Sequence, residues 1–487
     1  MSFRRNPTAP VSGSILEVFR IALPLILSNS CHAVNMFVDR LMLARHSQEA
    51  VAAAFTGGLT NFTIACVFVG TIGYTGTFVA QYEGARHRER IGSAVWGGVW
   101  LSLLGALLLG SGIFWAEPLF RIFQHEPEVT RQEVIYFTVL CKGAGLFLLN
   151  NALSCFWTGR GKTTVVLVVS AIITLFNLPL NYIMIFGKCG CPELGAAGAA
   201  WGTVLAGGVG TLIYFIAFLS PSAEKHFRTR RPVFDFPLLR RMIRFGLPAG
   251  LHLALDLFAF NTFSLLLGSY GVAVHEASSI TFGINNIAFC PMMGIGMTAG
   301  ILVGQAIGAE NVPLARRSVR NCVVIIEVYA LLMTVLFIFF QPLMLGPFVR
   351  PGDTGQAETM QIASYMLYFI AAYLVFDGFN LTFSSALRGA GDTRFPMWVM
   401  STVGVIGFAL PCLALFFLKQ PWWTLWIAMD AEVLLLCLIF SWRYKQGKWT
   451  KMRVIEVGAN PAPDMEEPWV EQAAEPGTEQ TEMNTMK

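Results

Sequence analysis

Charge is scarce in this chain. Asp, Glu, Lys and Arg make up only 13% of its 487 residues, while hydrophobic residues make up 55%. A soluble domain is roughly a quarter charged, so a water-exposed globule is excluded and a polytopic membrane protein is expected. The chain also lacks a phosphate-binding loop. Gly161-Lys162-Thr163 ends like one, but Phe156 stands where the first glycine must be. His-Glu-x-x-His and Gly-x-Ser-x-Gly are missing too, which leaves ATP drive and hydrolysis without support. No His, Asp or Glu cluster gathers near one loop as a polytopic lipid-modifying enzyme would require. Of the ten cysteines, Cys189 and Cys191 sit too close together for an unstrained disulfide, and no second close pair offers a zinc site. The small net charge of +4 reads as a topology signal, and no nucleic-acid partner is expected.

What fills the chain is apolar sequence. Twelve stretches are long enough to cross a bilayer, which takes about 20 residues each. They run over 15–42, 50–80, 92–116, 132–156, 164–187, 196–219, 243–268, 277–303, 316–340, 360–386, 395–418 and 422–443. The first is too long for a cleavable signal and is expected to remain as a span. The expected fold is therefore all-α, a polytopic bundle in contact with membrane lipids. Connections after odd-numbered spans offer only Arg45, Arg121, Arg131, Lys188, Arg350 and Lys419. The alternate set is richer, with Arg86, Arg88, Arg90, Arg160, Lys162, Arg228, Arg230, Arg231, Arg240, Arg241, Arg316, Arg317, Arg320, Arg388 and Arg394 among others. Arg4 and Arg5 at the start, and Arg443 to Arg453 at the end, join this basic side. The positive-inside rule then puts both termini in the cytoplasm. After Val457 the chain turns acidic and proline-rich, from Pro461 to Glu482, and reads as a disordered tail.

The two halves repeat. Arg20-Ile-Ala-Leu-Pro24 matches Arg244-Phe-Gly-Leu-Pro248, and Val79-Ala-Gln81 matches Val303-Gly-Gln305, both at an offset of 224. Gly159-Arg-Gly-Lys-Thr163 matches Gly389-Ala-Gly-Asp-Thr393 further on. With six spans per half, the repeat is parallel, about an axis along the membrane normal. The division expected is an N-terminal lobe over 1–219, a basic linker over 220–242, a C-terminal lobe over 243–445 and a tail over 446–487. Two such lobes favour a carrier over a passive channel.

The few acids inside the spans are the functional clue. A carboxylate in hydrocarbon costs at least about 2.5 kcal/mol, so it persists where it lines a cavity or finds a partner. Tyr373, Asp377, Asn380 and Ser384 are spaced by four, three and four and share one helical face. Their oxygens suit a hard cation or a protonatable site, although Asn380 and Ser384 serve equally well as a seam between helices. Asp256 lies one turn after His252 and either faces Asp377 or pairs with that histidine. Asp39 precedes Arg40, with which it would form a plain interfacial pair. The other possibility is a polar cluster with Asn177, Asn181 and Thr203. Lys142, Glu327, Asp430 and Glu432 are given no role.

Taken in order, these motifs resemble the multidrug and toxic compound extrusion (MATE) family, NorM-type branch. The likeness covers nearly all of residues 10–445. It is carried by Phe37-Val-Asp39, Val79-Ala-Gln81, Asn177-Leu-Pro-Leu-Asn181, Gly187-Lys-Cys-Gly-Cys-Pro-Glu-Leu-Gly195, Val303-Gly-Gln305, Tyr373-Leu-Val-Phe-Asp377 and Leu387-Arg-Gly-Ala-Gly-Asp-Thr393. The resemblance implies a secondary antiporter in a cell inner membrane. Such a protein exports small cationic or amphipathic drugs in exchange for Na⁺ or H⁺, without a resident cofactor and as a monomer. It implies a cation site at Asp377, Tyr373 and Asp256, where Na⁺ would bind. In the family the seventh-span acid is usually glutamate, so Asp256 is one methylene short. It also implies an N-lobe network of Asp39, Asn177, Asn181 and Thr203. A flippase for a lipid-linked precursor is the neighbouring alternative, but it would want a cationic cavity.

Overall fold

The computed structural model describes residues 13–121, 126–348 and 356–456. Arg4, Arg5, Arg350 and the acidic stretch from Pro461 to Glu482 lie outside the described residues. Among the described residues twelve helices are long and apolar enough to span a membrane: α1 Ile15–His46, α2 Glu49–Gly84, α3 Arg88–Gly110, α4 Pro127–Thr158, α5 Thr163–Phe186, α6 Ala196–Phe218, α7 Phe236–Gly268, α8 Val272–Gly308, α9 Val312–Phe339, α10 Gln356–Ala390, α11 Arg394–Phe417 and α12 Trp423–Lys445. There is no strand among the described residues.

Local chemistry sets the helix ends. Ser14 accepts from the Glu17 N–H at 3.3 Å and starts α1. Asp235 accepts from the Leu238 N–H at 3.0 Å, with a proline in the first turn, and so starts α7 at Phe236. That start lies ahead of the position read from hydropathy, because a cap outweighs Arg240 and Arg241 in the opening turns. The tenth helix also runs further than expected. It continues through Ala390, so Arg388, which looks like a loop residue in the sequence, lies inside the helix. The eleventh span contains a wide π-type stretch over Met400–Ala409.

The helices form two six-helix bundles. Each bundle borrows the first half of a helix from the other. Val18, Ile21, Ala22 and Leu25 of α1 belong to the apolar core of the C-terminal bundle. Leu238, Met242 and Ala249 of α7 belong to the core of the N-terminal bundle. The bundles meet along a seam made by backbone approach. A Cβ on Gly70 would lie 2.5 Å from the Gly250 Cα, and one on Gly294 would lie 2.5 Å from the Ile26 side chain. Gly70 and Gly294 are 224 residues apart, as are Ile26 and Gly250. The contact therefore obeys the repeat. Nearer the basic connections a second pair recurs: a Cβ on Gly84 would lie 1.9 Å from the Gln305 carbonyl oxygen, and one on Gly308 2.0 Å from that of Gln81.

These approaches lie in the half of each helix nearer the basic face. Beyond them α1 and α7 carry exposed apolar side chains, Phe37, Leu41, Phe258 and Leu265 among them. Asp256 follows Gly250 by six residues, about 9 Å along the helix at 1.5 Å per residue. Asp256 thus sits on the far side of the seam from the basic face. The stretch from Gln446 to Glu456, grouped with the tail by composition, is ordered, with Trp449 and Val454 each only 1% exposed.

Candidate functional site

Polar side chains collect inside each bundle. In the N-terminal bundle Asp39 on α1 accepts from the Asn181 amide on α5. Asn181 also donates to the Asn177 oxygen at 3.1 Å, one helical turn away. Thr203 on α6 closes the group, 3.5 Å from Asp39 Oδ2 and 3.5 Å from the Asn177 amide nitrogen. Pro179 lies within α5 between the two asparagines. Arg40 does not neutralise Asp39; its guanidinium lies 5.4 Å from the centre of the Phe55 ring. The structure therefore brings together the four residues singled out by spacing, and leaves the carboxylate without an ion pair among the described residues. The Asn181 side-chain oxygen is buried with no hydrogen-bond partner.

In the C-terminal bundle Asp377 and Tyr373 are buried on one face of α10, at 8% and 4% exposure. Asp377 accepts from the Asn380 amide at 3.2 Å. Tyr373 has Asn285 of α8 as a polar neighbour. Ser384 turns back to its own helix, donating to the Leu381 carbonyl at 3.4 Å. Asp256 lies within electrostatic range of Asp377, and His252 does not pair with it; the His252 Nδ1 is buried without a partner among the described residues.

Two groups that sequence reasoning passed over enter this site. Glu327 of α9 projects onto the backbone of α10 beside Asp377. A Cβ at Gly378 would lie 2.6 Å from Glu327 Oε1, so a side chain there would push that carboxyl from its present place. Both Glu327 oxygens are buried and lack a hydrogen-bond partner, and the group is within electrostatic range of Asp377. The signal in the sequence was a single acid in the most hydropathic of the twelve spans, followed fifty residues later by the Asp377-Gly378 pair. Arg388 is the second. Its guanidinium is within range of Asp256 and donates to Ser385 at 3.2 Å. Glu432 of α12 is within range of both Asp256 and Asp377, and Asp430 of Tyr373. Lys142 points its side chain outward from α4.

The acids surround the interior without converging. Among the described residues no three His, Cys, Asp or Glu side chains group as ready metal ligands. An ion held here would take a carboxylate together with tyrosine, asparagine or backbone oxygens, which suits Na⁺ and equally suits a proton moving between separate acids. Unneutralised carboxylates in a dry interior favour whatever lowers their charge, a cation or a proton.

A family model described as MatE matches residues 24–183 and again 248–413. The two matched segments begin at Pro24 and Pro248, the prolines that mark the repeat. The chain is 27% identical over 457 residues to the multidrug resistance protein NorM of Burkholderia vietnamiensis, covering 90% of this chain and 96% of that one. It is 25% identical over 423 residues to the multidrug resistance protein PmpM of Pseudomonas aeruginosa, covering 83% and 86%. Among solved structures, a multidrug resistance MATE family transporter of the MOP superfamily, described as outward-facing, superposes with a TM-score of 0.79 at 18% identity. That match covers 92% of this chain and all of that one.

Proposed function

Because this chain belongs to the MatE family of membrane transporters, not enzymes, we propose that it is a secondary active antiporter exporting organic cations or other drugs in exchange for Na⁺ or H⁺. The relatives named for multidrug resistance support the cargo class. The observation that carries the exchange is the set of membrane-embedded carboxylates without counter-ions: Asp377 with one amide bond, Glu327 with none, and Asp39 held by Asn181 and Thr203. In this reading the basic face and both termini are cytoplasmic in the cell membrane. The two lobes, joined through the basic linker, alternate between openings to either side.

The coupling follows from charge. A cation or proton arriving from outside neutralises Asp377, with Asp256 and Glu327, or neutralises Asp39. A neutral site is cheaper to enclose, so the equilibrium between outward and inward openings shifts. A cationic drug needs the same negative site. Each therefore lowers the other's affinity, and by linkage the effect is reciprocal. Exposed Phe37, Phe258, Met293 and Met297 supply apolar, adaptable surface that suits loose specificity.

The test is efflux of a fluorescent organic cation from vesicles holding the purified protein, under a Na⁺ gradient or a pH gradient imposed separately. Transport driven by one gradient is expected. Dye that stays put under both, with a lipid moved instead, would replace this reading with the flippase. A second measurement addresses Glu327. Glu327→Gln keeps the shape that Gly378 accommodates and removes the charge beside Asp377. Gradient-driven efflux should fall by about fivefold or more, the lower end of usual coupling energies, while Glu89→Gln on the basic surface leaves it unchanged. Equal rates in the two variants would remove Glu327 from the site.

A further inference from the structure

The seam on the basic face is held by two glutamines that the sequence pairs by repeat. Gln81 is fully buried at the end of α2. Its amide nitrogen donates across the seam to the Gly389 carbonyl at 3.1 Å and the Ala390 carbonyl at 3.4 Å on α10. Gln305, its counterpart on α8, donates to the Gly159 carbonyl at 2.8 Å in the other direction. Tyr74 adds a third crossing, its hydroxyl donating to the Arg388 carbonyl at 2.8 Å. The glycine motifs that repeat after the fourth and tenth spans are thus the acceptors of a reciprocal clasp.

The clasp is not symmetric, and the difference lies at the chain's end. After α12 the chain makes a short turn over Lys448–Lys451. Trp449 stacks on Tyr444 at 5.1 Å between ring centres and donates to its carbonyl at 2.9 Å. Arg453 still pairs within the C-terminal bundle, with Glu310 just after α8 at 2.6 Å. The residues after it cross to the other bundle. The Val454 N–H donates to the Gln81 side-chain oxygen at 3.0 Å. Val454 and Ile455 join the apolar core of the N-terminal bundle, with Tyr82 and Phe227 in the same cluster. At the offset of 230 shown by the later Gly159 and Gly389 motifs, Val454 corresponds to Glu224 in the covalent linker between the bundles. The linker leads from α6 toward the C-terminal bundle. Its counterpart after α12 leads back toward the N-terminal bundle, held only by non-covalent contacts.

We propose that residues 448–456 form a releasable latch on the basic face. The latch uses the free end of the Gln81 amide to keep the seam closed, and it leaves Gln81 when the bundles part toward that face. Gln81 makes the inference specific. One buried side chain serves both the tenth helix and the strap, so lobes that part beneath a strap still in place leave the Gln81 amide nitrogen buried without a partner, whereas a strap that leaves lets water reach it. A buried polar atom left unpaired is costly, so the strap and the seam open together. The inference rests on the alternating openings proposed above.

The experiment measures the distance between spin labels at Arg86→Cys and Arg317→Cys. Both residues are exposed on the basic face and lie in different bundles. The background has Cys31, Cys189, Cys191 and Cys290, the thiols that are not buried, changed to Ser. Val454→Pro removes the donating N–H, and Val454→Ala keeps it. One truncation ends at Gly447, removing the strap and everything after it; another ends at Glu456 and keeps the strap. Val454→Pro and the shorter chain should raise the long-distance population about three- to tenfold, the factor carried by one buried hydrogen bond. Val454→Ala and the chain ending at Glu456 should stay near the full chain. Two populations in the full chain that Val454→Pro leaves unchanged would overturn the latch alone. An equal shift from both truncations would also overturn it, moving the effect to the residues after Glu456. A single short distance in the full chain and every variant would overturn the latch and the alternating reading together. Val454→Pro needs no deletion, so the outcome stands even where the shorter chain fails to fold.

Discussion

Asp377→Asn should abolish gradient-driven efflux while leaving the protein folded. Asparagine has almost the same shape as aspartate, and its side-chain oxygen still accepts from Asn380, 3.2 Å away in the native chain. What it cannot do is change charge. In the proposed cycle the neutral state of this position is the ion-loaded state, so the variant should behave as though permanently loaded. Binding of a cationic dye should be weak and no longer respond to Na⁺ or pH. In the native chain that binding should fall as the coupling ion rises. The expected loss of driven efflux is at least about tenfold, within the usual range of coupling energies. Asp39→Asn, made alongside, separates the two bundles, because Asp39 sits in its own network with Asn181 and Thr203. If Asp377→Asn retains both full efflux and ion-sensitive dye binding, the C-terminal site is not where exchange is coupled. Loss in both variants would mean that each bundle contributes a required charge.

That such residues could be found without a structure follows from the energetics of the membrane. Twelve spans stand out because hydrocarbon demands about 20 apolar residues at a time. Asp39 and Asp377 stand out because any uncharged residue at those positions would be cheaper. The repeat, read from the Arg20, Val79 and Gly159 matches, extends to Gly70, Gly84 and Gly308, which lie where backbone meets backbone, and to Gly294, which lies against the Ile26 side chain.

Other features were hidden because they depend on how helices meet. Glu327 and Asp377 are fifty residues apart, and only the register of α9 on α10, set by the space at Gly378, brings them together. Arg388 carries a loop-like sequence around it, Gly389 and Gly391, yet α10 continues past it and turns its charge toward Asp256. The strap was hidden by composition, since its lysines and arginine read as tail. Trp449, Val454 and Ile455 were the contrary signal, three apolar residues among the strap's nine that the structure buries. The pairing of Gln81 with Gln305 was visible by offset. That each reaches into the other bundle was not, because a repeat relates equivalent positions and says nothing about what they touch.

Gly308→Ala should force the seam apart on the basic face. The added methyl would lie 2.0 Å from the Gln81 carbonyl oxygen, 2.7 Å from its carbon and 2.8 Å from its Cα. All three are backbone atoms of α2, so no side chain can swing aside, and a helix must move by roughly an ångström to reach ordinary contact. Overpacking of this kind costs about 1–3 kcal/mol. In a two-state carrier that penalty falls only on the closed form, where the contact exists. The population should therefore shift toward opening on the basic face by about five- to a hundredfold, and driven efflux should fall because the closed state is needed in every cycle. Gly84→Ala, with its methyl 1.9 Å from the Gln305 carbonyl oxygen, should do the same from the other bundle. Gly110→Ala is the control, since a methyl there meets nothing within 4 Å. Distances between labels at Arg86 and Arg317 read the shift directly. Should Gly308→Ala match Gly110→Ala in both distance and efflux, the glycine seam is not a moving contact, and the lobes must separate along some other surface. A lengthened distance with normal efflux would instead mean that closure on this face does not limit the cycle. A lengthened distance with reduced efflux, shared by Gly84→Ala, would tie exchange to this backbone contact between the two halves of the repeat.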